Sequence, residues 1–320
     1  MTSTLISTLL LALLYLAVVR FVDMNEKEPL WAMLMVFAFG ALGAAATSVG
    51  INQSTLGLNL WASASVRELV KFLAIGAGVG VLVAYGQRRA GLELGGRMDG
   101  LVYGTGGGRG FGGRGELLSV HPGAGISIPG LAVSEVASFG KLALSGLSDG
   151  VVGAIIGAGF GLASEAKAPV ARALLPVAAL VGAVLADAAH QLLKHGNALG
   201  DSGALRSNLA LGAPGLLIGA VAVYALTAER HAIHGHLDDE VQTGAVGAAD
   251  LPLLKSVVAR QVAYAKAFAS FKLGYFFGIR SVHNLQVQLA FAKARLAKES
   301  DPERRVRVDG EVAKIRAALV

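Results

Sequence analysis

The sequence has no cysteine in its 320 residues, which excludes a disulfide framework, a thiolate nucleophile and a cysteine-ligated metal site. Charge is scarce too. Asp, Glu, Lys and Arg make up 16% of the chain, against ~25% in ordinary soluble domains. No basic region precedes the first apolar stretch, and Arg20 and Phe21 stand where small cleavage-site residues belong. Thr4–Val22 therefore reads as a span and not as a cleaved signal peptide. The two halves show no evident repeat, which weighs against a secondary transporter built on internal symmetry. No long run of Lys and Arg is present, so the net charge of +6 does not indicate a nucleic-acid partner. In such a chain the basic residues report orientation first.

What remains is apolar and rich in glycine. Hydrophobic residues make up 54% of the chain and the mean hydropathy is +0.59. Glycine, at 43 residues, is about double its usual ~7% share. Small residues inside apolar runs let membrane helices approach closely. Gly153, Gly157 and Gly161 form one such face, and Gly76 with Gly80 another. The expected fold is an all-α, polytopic membrane helix bundle.

Measured against a span of about 20 residues, seven segments emerge: Thr4–Val22, Leu30–Gly50, Ala62–Tyr85, Met98–Leu118, Leu142–Ala163, Ala173–Leu193 and Leu209–Leu226. The fourth is the weakest, being crowded with glycine and carrying Arg109 and Arg114. Residues 119–141 suit a re-entrant or interfacial stretch. The loop with Arg88, Arg89 and Arg97 belongs in the cytoplasm by its positive charge. Seven spans then place the amino terminus outside and the carboxy terminus inside. Residues 1–228 form the bundle, 229–250 a polar hinge, and 251–320 a cytoplasmic helical tail. Leu251–Leu296 has helical periodicity among scattered basic residues, as in an amphipathic helix or helical pair against the membrane or the bundle. Asp301-Pro302 ends it.

The third span opens with an anomaly. Arg67, Glu68 and Lys71 fall in the first third of the apolar stretch Ser63–Ala84. A charge at the bilayer centre costs roughly 2.5–3.5 kcal/mol on insertion scales, so such groups face a bundle interior or a watered cavity. Glu68 and Lys71 share one helix face and can neutralise each other; a structural ion pair is the alternative to a site. Counting residues from the outer ends puts Glu68, Asp149, Asp187, His190 and Glu116 at similar depth, Glu68 roughly 9 Å in at 1.5 Å per residue. Carboxylates and an imidazole at one level suit a divalent metal that activates water, or a general acid–base pair. Asp187 and His190 either both reach a metal, or Asp187 orients the imidazole. The alternative is a buried hydrogen-bond network.

Two other motifs carry less. Gly108–Gly113 matches the dinucleotide pattern G-x-G-x-x-G but has no βαβ context, and reads as a broken helix lining the cavity. His231, His234 and His236, followed by Asp238, Asp239 and Glu240, form a weaker alternative metal cluster, or a surface histidine patch.

The segments DMNEKEP (23–29), VRELVKF (66–72), MDGLVYGTGGGRGFGG (98–113), the Asp149 helix and LADAAHQLL around His190 occur in an order that resembles the PrsW family of intramembrane metalloproteases. The tail LQVQLAFAKARL (285–296) resembles some relatives as well. The resemblance implies a bacterial inner-membrane location and a metal-dependent endopeptidase cutting a membrane protein near the outer face, with zinc as the divalent metal. Glu68 would be the base or a ligand, Glu116 a further catalytic group, and His190 and Asp149 metal ligands, with Asp187 added as a ligand by its spacing to His190. Arg67, Lys71 and Arg109 would support them. Only Glu68, Lys71 and His190 match the family's motif cleanly. Arg67 stands where the family has a second glutamate, Gly115 where it has another, and Asp149 where it has a histidine. A cation beside the site opposes the binding of another cation. The departures imply a second class of function, a catalytically silent relative without a metal. It would bind a membrane partner, as a subunit of a larger assembly.

Overall fold

The structure, a computed structural model, describes residues 29–50, 60–89, 96–119, 133–195, 212–299 and 301–320. Every regular element among these residues is a helix. The described residues through Ala222 belong to one compact unit and Val223–Val320 to a second. The first unit contains α1 (Leu30–Gly50), α2 (Leu60–Arg89), α3 (Arg97–Ser119), α4 (Val133–Glu165), α5 (Pro169–His195) and the start of α6 (Gly212–His236). Three of these are long and apolar enough to cross a membrane, over Leu30–Thr47, Pro169–Leu193 and Pro214–His236. The expected span Thr4–Val22 lies outside the described residues, as do positions 120–132 of the expected re-entrant stretch. Residues 133–141 of that stretch are the first turns of α4.

The distribution of side chains is the reverse of a water-soluble core. Leu174, Val177, Val181, Leu185 and Leu192 form an exposed stripe along α5, and Leu34 and Leu42 are exposed on α1. Glu68, Lys71, Arg109 and Asp187 are buried. Apolar surface outside and paired charge inside are the arrangement that hydrocarbon solvent favours.

The glycine-rich helix α3, the weakest span by sequence, is the most enclosed in the unit. Its glycines 100, 104, 108 and 112 recur every fourth residue and meet the glycine face of α4 running the other way. A β-carbon at Gly157 would stand 2.0 Å from the Gly100 carbonyl oxygen, and one at Gly104 would stand 2.4 Å from that of Gly153. The opposite side of α3 meets α1 as closely, since a β-carbon at Gly40 would lie 2.0 Å from the Gly107 oxygen. Backbone-to-backbone approach of this kind leaves no room for any side chain. An apolar cluster closes the bundle, with Met33, Val36, Ile75, Tyr103 and Ile156 at its centre and Phe72 stacked on Phe160 at 5.0 Å between centroids. Gly76 contacts Phe160, whereas Gly80 has nothing within 4 Å of its would-be β-carbon. Gly157→Leu is thus expected to separate α3 from α4 and to cost about 3 kcal/mol or more by overpacking. Gly80→Leu is expected to change stability by less than about 0.5 kcal/mol. Thermal unfolding of the two variants in detergent, followed by circular dichroism, measures the contrast; equal midpoints would contradict the packing.

The second unit contains the end of α6, α7 (Glu240–Thr243), α8 (Leu251–Lys255), α9 (Val257–Ala269), α10 (Leu273–Lys298) and α11 (Pro302–Leu319). Residues 229–250 differ from the polar hinge expected there. They continue α6 to His236, and Leu237 and Val246 join Ile233, Leu254 and Val287 in a core. The physical reason is Glu240, a polar residue by sequence whose side chain is fully enclosed. It accepts from Arg316 Nε (2.9 Å) and Nη2 (2.6 Å), from Lys293 Nζ (2.7 Å) and from the Thr243 hydroxyl (2.9 Å). One carboxylate thereby ties α7 to α10 and α11. The Arg316 hydrogen bonds and those of Lys293 and Thr243 hold its pKa down to about 2, against the cost of burial.

Candidate functional site

The helix α2 turns its two faces to different surroundings. Leu69 and Leu73 are 46% and 58% exposed, whereas Glu68 and Lys71, one turn apart on the other face, are fully enclosed. The Lys71 ammonium donates to Glu68 Oε1 at 2.8 Å and to Asp149 Oδ1 of α4 at 2.8 Å. The Arg67 guanidinium donates to Asp187 Oδ1 of α5, and its Nε lies 3.6 Å from Glu68 Oε1. Asp187 accepts a second hydrogen bond from Gln191 Nε2 at 3.2 Å. Arg109 of α3, 2% exposed, is a third cation acting on Asp149. The Lys71 ammonium also sits 5.1 Å from the centre of the Phe111 ring, within cation–π range. Gly112 makes space for this cluster, since a β-carbon there would meet Asp149 Oδ2 at 2.5 Å.

Residues from α2, α3, α4 and α5 therefore converge, and their charges cancel. Arg67, Lys71 and Arg109 oppose Glu68, Asp149 and Asp187. Buried ions are tolerated when paired and hydrogen-bonded. Oε2 of Glu68 is buried without a hydrogen-bond partner.

Two other expected site residues, His190 and Glu116, lie on helices that also contribute to the ion-pair set. His190 lies one turn beyond Asp187 on α5 and is 9% exposed. Glu116 is on α3, but its side chain lies outside those described. His231 turns its Nδ1–H to the Thr227 carbonyl at 2.7 Å, and the Nε2–H of His234 donates to the Lys255 carbonyl at 3.0 Å. Of the acids that follow, Asp238 pairs with Lys255, and Asp239 and Glu240 with Lys293. Gly108–Gly113 lies within the continuous helix α3 and offers no phosphate-cradling loop.

A catalytic zinc ion takes three protein ligands and keeps one position open. Among the described residues, no group of three or more His, Asp or Glu side chains is placed to hold a metal. Glu68, Asp149 and Asp187 each already bond an ammonium or guanidinium, which leaves Glu68 Oε2 as a carboxylate oxygen without a partner. As arranged, these carboxylates do not fit a divalent ion. The two features that sequence reasoning missed are the α3 glycine stripe and the Glu240 network. The first was visible as the every-fourth-residue spacing from Gly100 to Gly112. The second leaves no local signal, because its partners are 53 and 76 positions away. No family model, curated protein or solved structure matches the chain, and the metalloprotease likeness rests on its motifs alone.

Proposed function

We propose that the chain is a PrsW-like membrane protein of about seven spans, amino terminus outside and helical tail inside, whose catalytic position has become a salt-bridged core. In this reading it does not cleave peptides; it binds a membrane protein partner and serves as a subunit of a larger assembly. The observation that carries the proposal is Lys71 held between Glu68 and Asp149, with Arg67 on Asp187. Side-chain cations stand where a metal-dependent hydrolase places its metal charge, and the three carboxylates have no surplus negative charge to offer. The orientation is supported by Arg88, Arg89 and Arg97 in one short loop.

An endopeptidase would require Arg67 to leave Asp187 and Lys71 to release at least one carboxylate before a water could be activated. The test is incubation of the full chain in proteoliposomes with candidate single-span membrane proteins and added zinc. The expected result is no cleavage that depends on Glu68, together with a stable hetero-complex in native gels. Cleavage abolished both by a chelator and by Glu68→Gln would overturn the proposal.

A further inference from the structure

Helices α9 and α10 form an antiparallel hairpin, pinned by the Tyr264 hydroxyl on His283 Nδ1 at 3.1 Å. Its tip is unusual in three ways. Between Tyr264 and Phe277 the sequence places six of the chain's 20 aromatic residues. Phe268, Phe271, Tyr275 and Phe277 are exposed by 60% or more, with Phe271 at 89%. Phe271 also has φ +54°, a left-handed conformation disfavoured for a bulky side chain, and is the one non-glycine residue with positive φ among those described. Phe276 makes edge-to-face contacts with Phe268 and Phe277, at 5.7 Å and 5.1 Å between centroids.

Charge singles out the partner. From Leu251 to Lys298 the chain has eight Lys and Arg and no Asp or Glu. Lys266, Lys272 and Arg280 flank the aromatic tip. A solvated hairpin has no need of exposed phenylalanines, and a basic, acid-free flank selects an anionic surface.

Position within the second unit points the same way. The Lys255 carbonyl bonds His234 on α6, and five residues later the Glu229 carboxylate, five residues earlier on α6, acts on Arg260. The chain leading into α9 thus runs back along α6 toward Tyr224, close to Leu226, where the span expected from the sequence ends. α9 continues in that direction to Ala269, next to the tip.

We propose that the α9–α10 tip is an interfacial anchor. Its aromatic side chains seat at the headgroup level of the bilayer that α6 crosses, and Lys266, Lys272 and Arg280 pair with anionic phospholipid headgroups.

The absence of cysteine makes the test direct. Phe271→Cys, or Val306→Cys on α11 as a solvent control, gives the full chain one thiol for an environment-sensitive fluorophore. Each labelled protein is placed in nanodiscs of phosphatidylcholine alone or with phosphatidylglycerol. Both substituted side chains are exposed, and matched thermal unfolding of the labelled and parent chains confirms that the fold is kept. At position 271 the expected result is blue-shifted emission, quenching by lipid-borne nitroxides and protection from aqueous iodide. All three should strengthen with phosphatidylglycerol, and the strengthening should be lost on Lys266→Glu/Lys272→Glu/Arg280→Glu. A 271 label as open to iodide as the 306 label would overturn the proposal. So would shielding indifferent to anionic lipid, or shielding that vanishes when each nanodisc holds a single chain, which would make a second copy the occupant.

Discussion

Lys71→Ala is expected to destabilise the bundle by about 3–5 kcal/mol, the usual cost of removing one partner from a buried ion pair. Lys71 is fully enclosed and is shared by Glu68 and Asp149, so its loss leaves two carboxylates near each other without their common ammonium. Glu68→Leu alone should cost somewhat less, because Asp149 still holds Lys71. Glu68→Leu/Lys71→Met removes one charge of each sign and keeps the cluster neutral, with Arg67 and Arg109 against Asp149 and Asp187. The double variant should therefore lose less stability than the sum of the single variants, with a coupling within the range of about 0.5–3 kcal/mol seen for contacting residues. Unfolding in detergent with increasing denaturant measures all three. Additive losses would mean that Glu68 and Lys71 do not interact, and the cluster would have to be redrawn.

The second large effect belongs to Glu240. Its carboxyl is held at about 2 in the folded chain against an ordinary value of 4.5. A depressed carboxylate contributes stability that is fully present above the unfolded value and fades as the pH falls through the folded one. The window here runs from 4.5 down to about 2. Allowing for the half-exposed Arg316 partner, the amount at stake is about 2–3 kcal/mol. Glu240→Gln should remove most of that acid-dependent loss, while Glu240→Ala should also free α11, whose Arg316 anchors on Glu240. Hydrogen exchange of α11 and the acid limb of the unfolding curve measure the two consequences. An acid limb in Glu240→Gln identical to that of the parent would contradict the assignment.

Much of the helix layout was legible because bilayer length and apolar composition constrain it strongly. The expected Leu30–Gly50 coincides with α1, and Asp301-Pro302 marks the break before α11. α6 runs past the expected Leu226 to His236 because Ile233 and Leu237 find apolar partners far along the chain. At the site, depth counting placed Glu68, Asp149 and Asp187 at one level, and their ion pairs join α2 to α4 and to α5. It did not say which cation each carboxylate takes. Lys71 reaches Asp149 across 78 positions and Arg67 reaches Asp187 across 120, pairings set by the packing of the helices and not by any local spacing. The α3 glycines reversed an expectation about strength. The helix that looked least able to span is the one whose neighbours come closest, because small size and not hydropathy fixes that contact.

Self-neutralisation of the cluster by Arg67, Lys71 and Arg109 is the central claim, and metal analysis of the intact chain tests it most directly. The full-length protein, purified in detergent without chelator and then titrated with zinc, should retain and bind no stoichiometric metal at this cluster. The histidine residues near the end of α6 are controlled by replacing His231, His234 and His236 with alanine. One equivalent of zinc that survives those replacements and is lost on Glu68→Gln or His190→Ala would contradict the account and restore a metal-dependent centre.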